Sequence, residues 1–144
     1  MSRIVPLPAS NTVVDSTVSI INADGTVASF AGPSSAVGLL PSSANNTNPT
    51  SVKASAGKLF LVNGYNSTAT TTYLKFYNKA SAPTVGTDTP ALVLALPPTA
   101  AFAFDLAGLP FSVGIAYGLT TDAANAGTAA PAAGAILGLN VVYA

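Results

Sequence analysis

The chain has 144 residues, a formal net charge of zero and charged side chains at 7% of its positions, against about 25% in an ordinary soluble domain. Cysteine and histidine are absent, which removes the usual ligands of zinc, haem and iron–sulfur clusters and every Ser–His or Cys–His nucleophile pair. Five scattered cations provide no electrostatic footprint for nucleic acid. Because few charges keep copies apart, we expect a surface of Ser, Thr and Asn that is partly buried against other proteins.

The first predicted element is an extended N-terminal arm over residues 1–11. Pro6 and Pro8 keep this segment out of a regular strand ladder. No apolar stretch of useful length precedes these prolines, so we expect no secretory signal. The arm either frays or lies on a neighbouring subunit.

A β-hairpin is predicted next, with strands over residues 12–21 and 26–30. The predicted turn between them ends at Gly25, a residue able to adopt the left-handed conformation that a short hairpin loop needs. Residues 31–49 have the composition of a loop, with one short edge strand near residues 36–40.

From residue 50 onward, β-branched and aromatic runs alternate with turn residues, and helical periodicity is nearly absent. The predicted strands cover residues 51–55, 58–65, 71–78, 90–96, 101–106, 109–119 and 135–143. Residues 58–65 are apolar on both faces, which predicts a central strand covered on both sides. The small residues Gly114 and Gly118 would let another backbone approach closely.

Together these strands predict an all-β fold, an antiparallel β-sandwich of the jelly-roll type with an N-terminal arm. The sandwich is predicted as one domain over residues 12–144, in which residues 12–49 are the less typical part. The apolar stretches 101–119 and 129–144 are interrupted by Asp105, Pro110 and Pro131, so neither predicts a membrane-spanning helix.

Several short sequence patterns in residues 50–144 carry a resemblance to a known class of proteins. They are AGKLF at 56–60, GYN at 64–66, YLKFYNKA at 73–80, PTVGTDTP at 83–90, FSVGIAY at 111–117 and VVYA at 141–144. In this order they resemble the β-sandwich of head-decoration (cement) proteins and related virion components of tailed bacteriophages. Residues 1–49 carry no such pattern.

The resemblance implies a non-enzymatic structural protein on the outer capsid surface of a virion assembled in the host cytoplasm. Its partners would be the major capsid protein, whose subunits it bridges, and further copies of itself. A homotrimer is expected because a shell offers three-fold sites and closed symmetry covers sticky surface.

Candidate contact residues follow from this interpretation. For shell contact we select residues of the arm, namely Arg3, Ile4, Val5 and Leu7. For packing between subunits we select Phe111, Tyr117 and Val142.

Two other classes of function stay open. A tail- or fibre-associated module that binds host glycans would use the strand face of Tyr73, Lys75 and Tyr77, although Lys75 is most simply a solvated or edge-blocking charge. An enzyme would need a carboxylate pair such as Asp88 and Asp105. Asp88 lies in a typical turn sequence, so we predict no catalytic, cofactor-binding or metal-binding residue.

Overall fold

The computed structural model describes residues 18–21, 27–30 and 35–144. The chain divides into two compact units, residues 1–34 and Ser35–Ala144, and each is described by itself. Within the described ranges there are ten strands and no helix, which confirms the all-β prediction. The predicted single domain over residues 12–144 stays a prediction.

The described part of the first unit is a hairpin of two antiparallel strands. They are β1 (Val18–Ile21) and β2 (Val27–Phe30), with Ile21 opposite Val27. The predicted hairpin is therefore confirmed, while its turn at Gly25 and the arm of residues 1–11 lie outside the described residues.

Two antiparallel four-stranded sheets make up the second unit. Their strands are β3 (Ala36–Ser42), β4 (Thr50–Lys53), β5 (Gly57–Asn66), β6 (Thr72–Asn78), β7 (Leu92–Leu96), β8 (Ala100–Phe111), β9 (Ile115–Thr120) and β10 (Ile136–Tyr143). The first sheet has the order β3-β10-β5-β8 and the second sheet has the order β4-β9-β6-β7. Counted within this unit, the first strand therefore pairs with the last (β3 with β10) and the second with the seventh (β4 with β9). The third pairs with the sixth (β5 with β8) and the fourth with the fifth (β6 with β7).

Apolar side chains from both sheets form one buried core. Leu59, Val62 and Val141 come from the first sheet, and Leu74 and Phe76 come from the second. Alternation sends most of these side chains to the inner face, and an irregularity of β5 between Leu59 and Leu61 puts both Leu59 and Val62 on that side. The β-sandwich prediction is confirmed.

Two predicted strand boundaries are wrong in the region of β8 and β9. Residues 101–106 and 109–111 belong to one strand, because Ala107 (φ 50) and Gly108 (φ 81) carry it through a left-handed irregularity without ending it. The chain then reverses at residues 112–114. The Asn78 side chain holds this reversal, accepting from the Val113 N–H at 2.8 Å and donating to Ser112 Oγ at 2.9 Å.

The strand over residues 58–65 is central, as predicted, since β5 lies between β10 and β8. Its inward side chains Leu59 and Val62 are fully buried. On the opposite side Leu61 is half-buried and Tyr65 is exposed. Among the described residues β5 is therefore well covered on one side only, and the prediction of two covered sides is wrong.

Candidate interaction surface

Three rows of directly opposed residues cross the outward side of the first sheet, which we call the outer face. In the order β3, β10, β5, β8, the first row is Val37, Val142, Leu61 and Asp105, the second is Leu39, Asn140, Asn63 and Ala103, and the third is Ser42, Leu137, Tyr65 and Ala101. Residues directly opposite each other place their side chains on the same side of a sheet. The outer face is consequently a continuous surface across all four strands.

This outer face is apolar and nearly free of charge. Val37 and Leu39 are 59% and 60% exposed, and Tyr65 and Leu137 are also exposed. Asp105 is the one ionisable carboxylate in the three rows, and its Oδ1 accepts a hydrogen bond from the Ala107 N–H at 2.9 Å. An exposed, mostly apolar surface of this kind is typical of a protein interaction site.

The polar pair at the centre of the outer face is partly satisfied by internal hydrogen bonds. Asn140 Nδ2 donates to Asn63 Oδ1 at 2.8 Å and to the Gly138 carbonyl at 3.1 Å. A partner covering this position would meet one amide nitrogen and one amide oxygen that already have hydrogen-bond partners, so the cost of removing these two atoms from water is reduced.

At the central strands β6 and β9, the outward side of the second sheet is covered by the chain's own connections. Lys75 is 0% exposed, and its Nζ donates to the carbonyls of Ala124 at 2.6 Å and Gly127 at 3.4 Å, both in the β9–β10 connection. At β9, a Cβ on Gly118 would meet the Val85 side chain and the Thr47 carbonyl oxygen, so the β6–β7 connection and the segment before β4 lie over this strand. The two sheets therefore differ: the central strands of the second, β6 and β9, are covered on both sides, whereas the first presents its outer face.

The prediction that Tyr73, Lys75 and Tyr77 form a surface contact site is wrong. β6 lies between β9 and β7, Lys75 and Tyr77 are buried and Tyr73 is half-buried. Lys75 is therefore neither solvated nor edge-blocking. The alternation of the strand was predicted correctly, but the connections that fold over its second side come from distant parts of the chain.

Burial changes the acidity of two of these groups. Desolvation lowers the pKa of Lys75, and the negative charge of Asp122 opposes this effect. Burial, with a smaller contribution from the charge of Asp88, raises the pKa of Tyr77. Both shifts follow from removing the charged form from water.

Two residues predicted to pack between subunits lie in the core of the chain instead. Phe111 and Tyr117 are buried, and their ring centroids lie 6.3 and 6.2 Å from that of Phe76. Val142, the third residue of that prediction, lies half-buried in the first row of the outer face. The predicted shell contacts Arg3, Ile4, Val5 and Leu7 lie outside the described residues.

The predicted close approach at Gly114 is confirmed, and the approaching backbone belongs to the same chain. A Cβ at this position would lie 2.7 Å from the Lys53 carbonyl oxygen, the Lys79 carbonyl oxygen and the Ala80 Cα. Gly114 therefore lets the reversal between the two sheets pack against backbone.

The carboxylates of the described residues hold turns. Asp88 accepts from Lys79 Nζ at 2.6 Å and from the Thr84 N–H at 2.7 Å, and these hydrogen bonds lower its pKa. Asp122 accepts from the Ala124 N–H at 2.9 Å. Asp88 follows β6 of the second sheet, whereas Asp105 lies in β8 of the first, and the predicted role of Asp88 as a turn former is confirmed.

Sequence reasoning did not identify the apolar residues of the outer face as a group. The alternation of Val37 and Leu39 in the predicted edge strand was one available signal. The sequence did not reveal which other strands continue that side, because β10, which pairs with both β3 and β5, lies about one hundred residues from β3 and about eighty from β5 along the chain.

The described residues form no helix long and apolar enough to cross a membrane. Comparison of the chain with protein-family models, curated proteins and solved structures gives no match.

Proposed function

We propose that the chain is a non-enzymatic structural protein of a tailed-bacteriophage virion, a cement protein that binds the outer capsid surface and bridges major capsid protein subunits. Two independent features support this proposal: the sequence patterns of residues 56–144 and the exposed outer face. The outer face carries most of the argument, because the chain's own connections cover the central strands of the second sheet and leave the first as the sheet better suited to binding another protein.

The outer face suits additive binding by apolar burial. A stable protein interface buries about 800 Å² on each partner, and each square ångström of apolar area removed from water contributes about 25 cal/mol. The face rests on paired strands with a packed core beneath it, so little conformational entropy is lost when a partner covers it. Many such contacts over a shell would resist the internal pressure of packaged DNA.

Three finer features belong to the same proposal. The sandwich is a jelly roll, which is supported by the inward pairing of first strand with last and second with seventh. Residues 1–11 form an arm whose Arg3, Ile4, Val5 and Leu7 lie on the shell. The chain occupies three-fold sites as a homotrimer on the virion surface, after assembly in the host cytoplasm.

Addition of the purified chain to shells that lack it tests the proposal. We expect density on the outer shell by electron cryomicroscopy, and Tyr65→Asp or Leu137→Asp to lower the occupancy because each buries an unpaired charge in the contact. Val113→Asp is the matched control, since Val113 is 52% exposed and lies in the reversal after β8, outside the three rows. Binding to the tail alone, or equal occupancy for all variants, would contradict the proposal.

A further inference from the structure

Each sheet of the second unit has two edge strands, and three of these four edges carry a feature that discourages further strand pairing. β8 has the left-handed residues Ala107 and Gly108. β4 is short, has a register shift and ends at Lys53. β7 has five residues and is followed by Pro97 and Pro98. Short length, bulges, lysine and proline are the usual protections of an edge.

The fourth edge, β3, lacks most of these protections. It has seven residues, and residues 35–42 contain no charged side chain. Among the described residues β3 pairs with β10 only, and Val37 and Leu39 are its most exposed apolar side chains. A long apolar edge of this kind is a ready template for another strand.

Pro41 limits the part of β3 that can pair. Proline has no N–H to donate to a ladder, so the free run available to a new strand is residues 36–40, whose midpoint is Gly38. An antiparallel partner centred on Gly38 would place Val37 opposite its Leu39 and Leu39 opposite its Val37. Because both opposed residues are apolar, this register pairs the strand with a copy of itself without a charge or a polar group on the outward side.

We propose that β3 pairs antiparallel with β3 of a second copy across a two-fold axis at Gly38, continuing the first sheet from one copy into the other. A second copy fits better than a charged partner, because residues 35–42 offer no charge to pair with and the chain's net charge of zero gives no repulsion between copies. The contact also joins the outer faces of two copies into one larger apolar surface.

This two-fold contact is separate from the three-fold contact of the proposed function. On a shell it would link copies that belong to neighbouring sites, and in solution it forms without any shell. Its test therefore needs only the full chain, and its failure would leave the cement proposal standing.

Cross-linking tests the register. The chain contains no cysteine, so the thiols of Val37→Cys and Leu39→Cys are the only ones present. Opposed residues have Cβ atoms about 5 Å apart, close to disulfide reach, whereas diagonal residues are about 7–8 Å apart. We expect mild oxidation to give a disulfide-linked dimer when the two variants are mixed and single chains when each is oxidised by itself.

The mass of the full chain in solution tests the contact itself. Leu39→Lys should halve the mass measured by light scattering, since it places a charge on the paired edge, and Val113→Lys should leave it unchanged. A wild-type chain that stays at 14.2 kDa, as it would if its own residues covered β3, overturns the proposal. A mass that Leu39→Lys does not change, or equal cross-linking in the mixture and in the single variants, also overturns it.

Discussion

The Lys75 side chain ties the second sheet to a connection that follows it by about fifty residues. Its Nζ is buried and donates to two backbone carbonyls of that connection. A buried cation without such acceptors would be strongly unfavourable. The residue therefore fixes the β9–β10 connection over β6, and it does so with hydrogen bonds that an apolar side chain cannot make.

Lys75→Met is expected to lower the free energy of unfolding by about 1–3 kcal/mol, because the Gly127 carbonyl would lose its buried donor. Urea denaturation measures the change. Lys58→Met is the matched control, because Lys58 is exposed, and a surface change of this kind shifts stability by about 0.5 kcal/mol at most. Equal stability of the two variants would contradict the structural role of Lys75.

The same residue predicts a dependence on pH. Because the pKa of Lys75 in the folded chain is lowered from its ordinary value of 10.5, the unfolded chain binds more protons in the interval below 10.5, and stability rises with pH there. The advantage of the wild type over Lys75→Met should therefore grow as pH approaches 10.5. Tyr77 and Tyr117, whose pKa values are raised by burial, are present in both chains and cancel in the comparison. An advantage that shrinks over this interval would contradict the expected direction.

At the scale of elements, close backbone packing decides where strands end and the chain crosses between the sheets. β8 ends at Phe111, Gly114 lies against backbone from β4 and the β6–β7 connection, and β9 then begins in the other sheet. The alternation of residues 109–119 continues through this reversal, which is why sequence periodicity predicted one strand. Alternation shows which side chains share a face, but it does not show where the chain turns. The hydrogen bonds of Asn78 and the absence of a side chain at Gly114 determine the position of the reversal.

Gly114→Ala should destabilise the fold by about 3 kcal/mol, at the upper end of the cost of overpacking, since backbone atoms cannot give way as a side chain does. Thermal unfolding provides the measurement. Gly138→Ala is the matched control, because Gly138 has open space around a Cβ and a φ of 56, so that only the left-handed conformation costs about 1 kcal/mol. An equal effect of both substitutions would show that space at Gly114 is unimportant.

At the scale of the whole second unit, its two sheets are inequivalent. In one, the central strands are covered on both sides, and the other presents a mostly apolar outer face that ends at β3, the edge with the fewest protections. The low charge of the sequence is thus reflected in the nearly uncharged outer face of the first sheet. This scarcity of charge predicts how association responds to salt.

Self-association through β3 should persist when sodium chloride is raised, because screening weakens contacts between exposed charges and has little effect on apolar burial. Sulfate should strengthen it by favouring burial. Light scattering of the full chain at low and high salt checks both expectations. Dissociation by sodium chloride would indicate that charged groups, such as the Lys79–Asp88 pair, carry the contact.

Local patterns allowed the strands and turns to be predicted with good accuracy. Residues 71–78 alternate, and Asp88 lies among turn-forming residues, so β6 and the turn after it were foreseen. The prediction of contact residues was less successful. Phe111 and Tyr117 are aromatic residues on strands, and such residues are found both in cores and in interfaces. The sequence around Phe111 and Tyr117 does not show whether their side chains pack against the other sheet of the same chain or against another subunit.

The sequence by itself determined the all-β class, most of the strands and the scarcity of charge, because strand alternation, turn chemistry and composition are local or additive properties. Only the tertiary structure decided that Lys75 and Tyr77 are buried, that Phe111 and Tyr117 belong to the core, and that the outer face stays exposed. The physical reason is that burial depends on pairs distant in sequence. Lys75 is covered by Ala124, and Val37 gains its neighbours Val142 and Leu61 only when the first strand of the second unit pairs with the last.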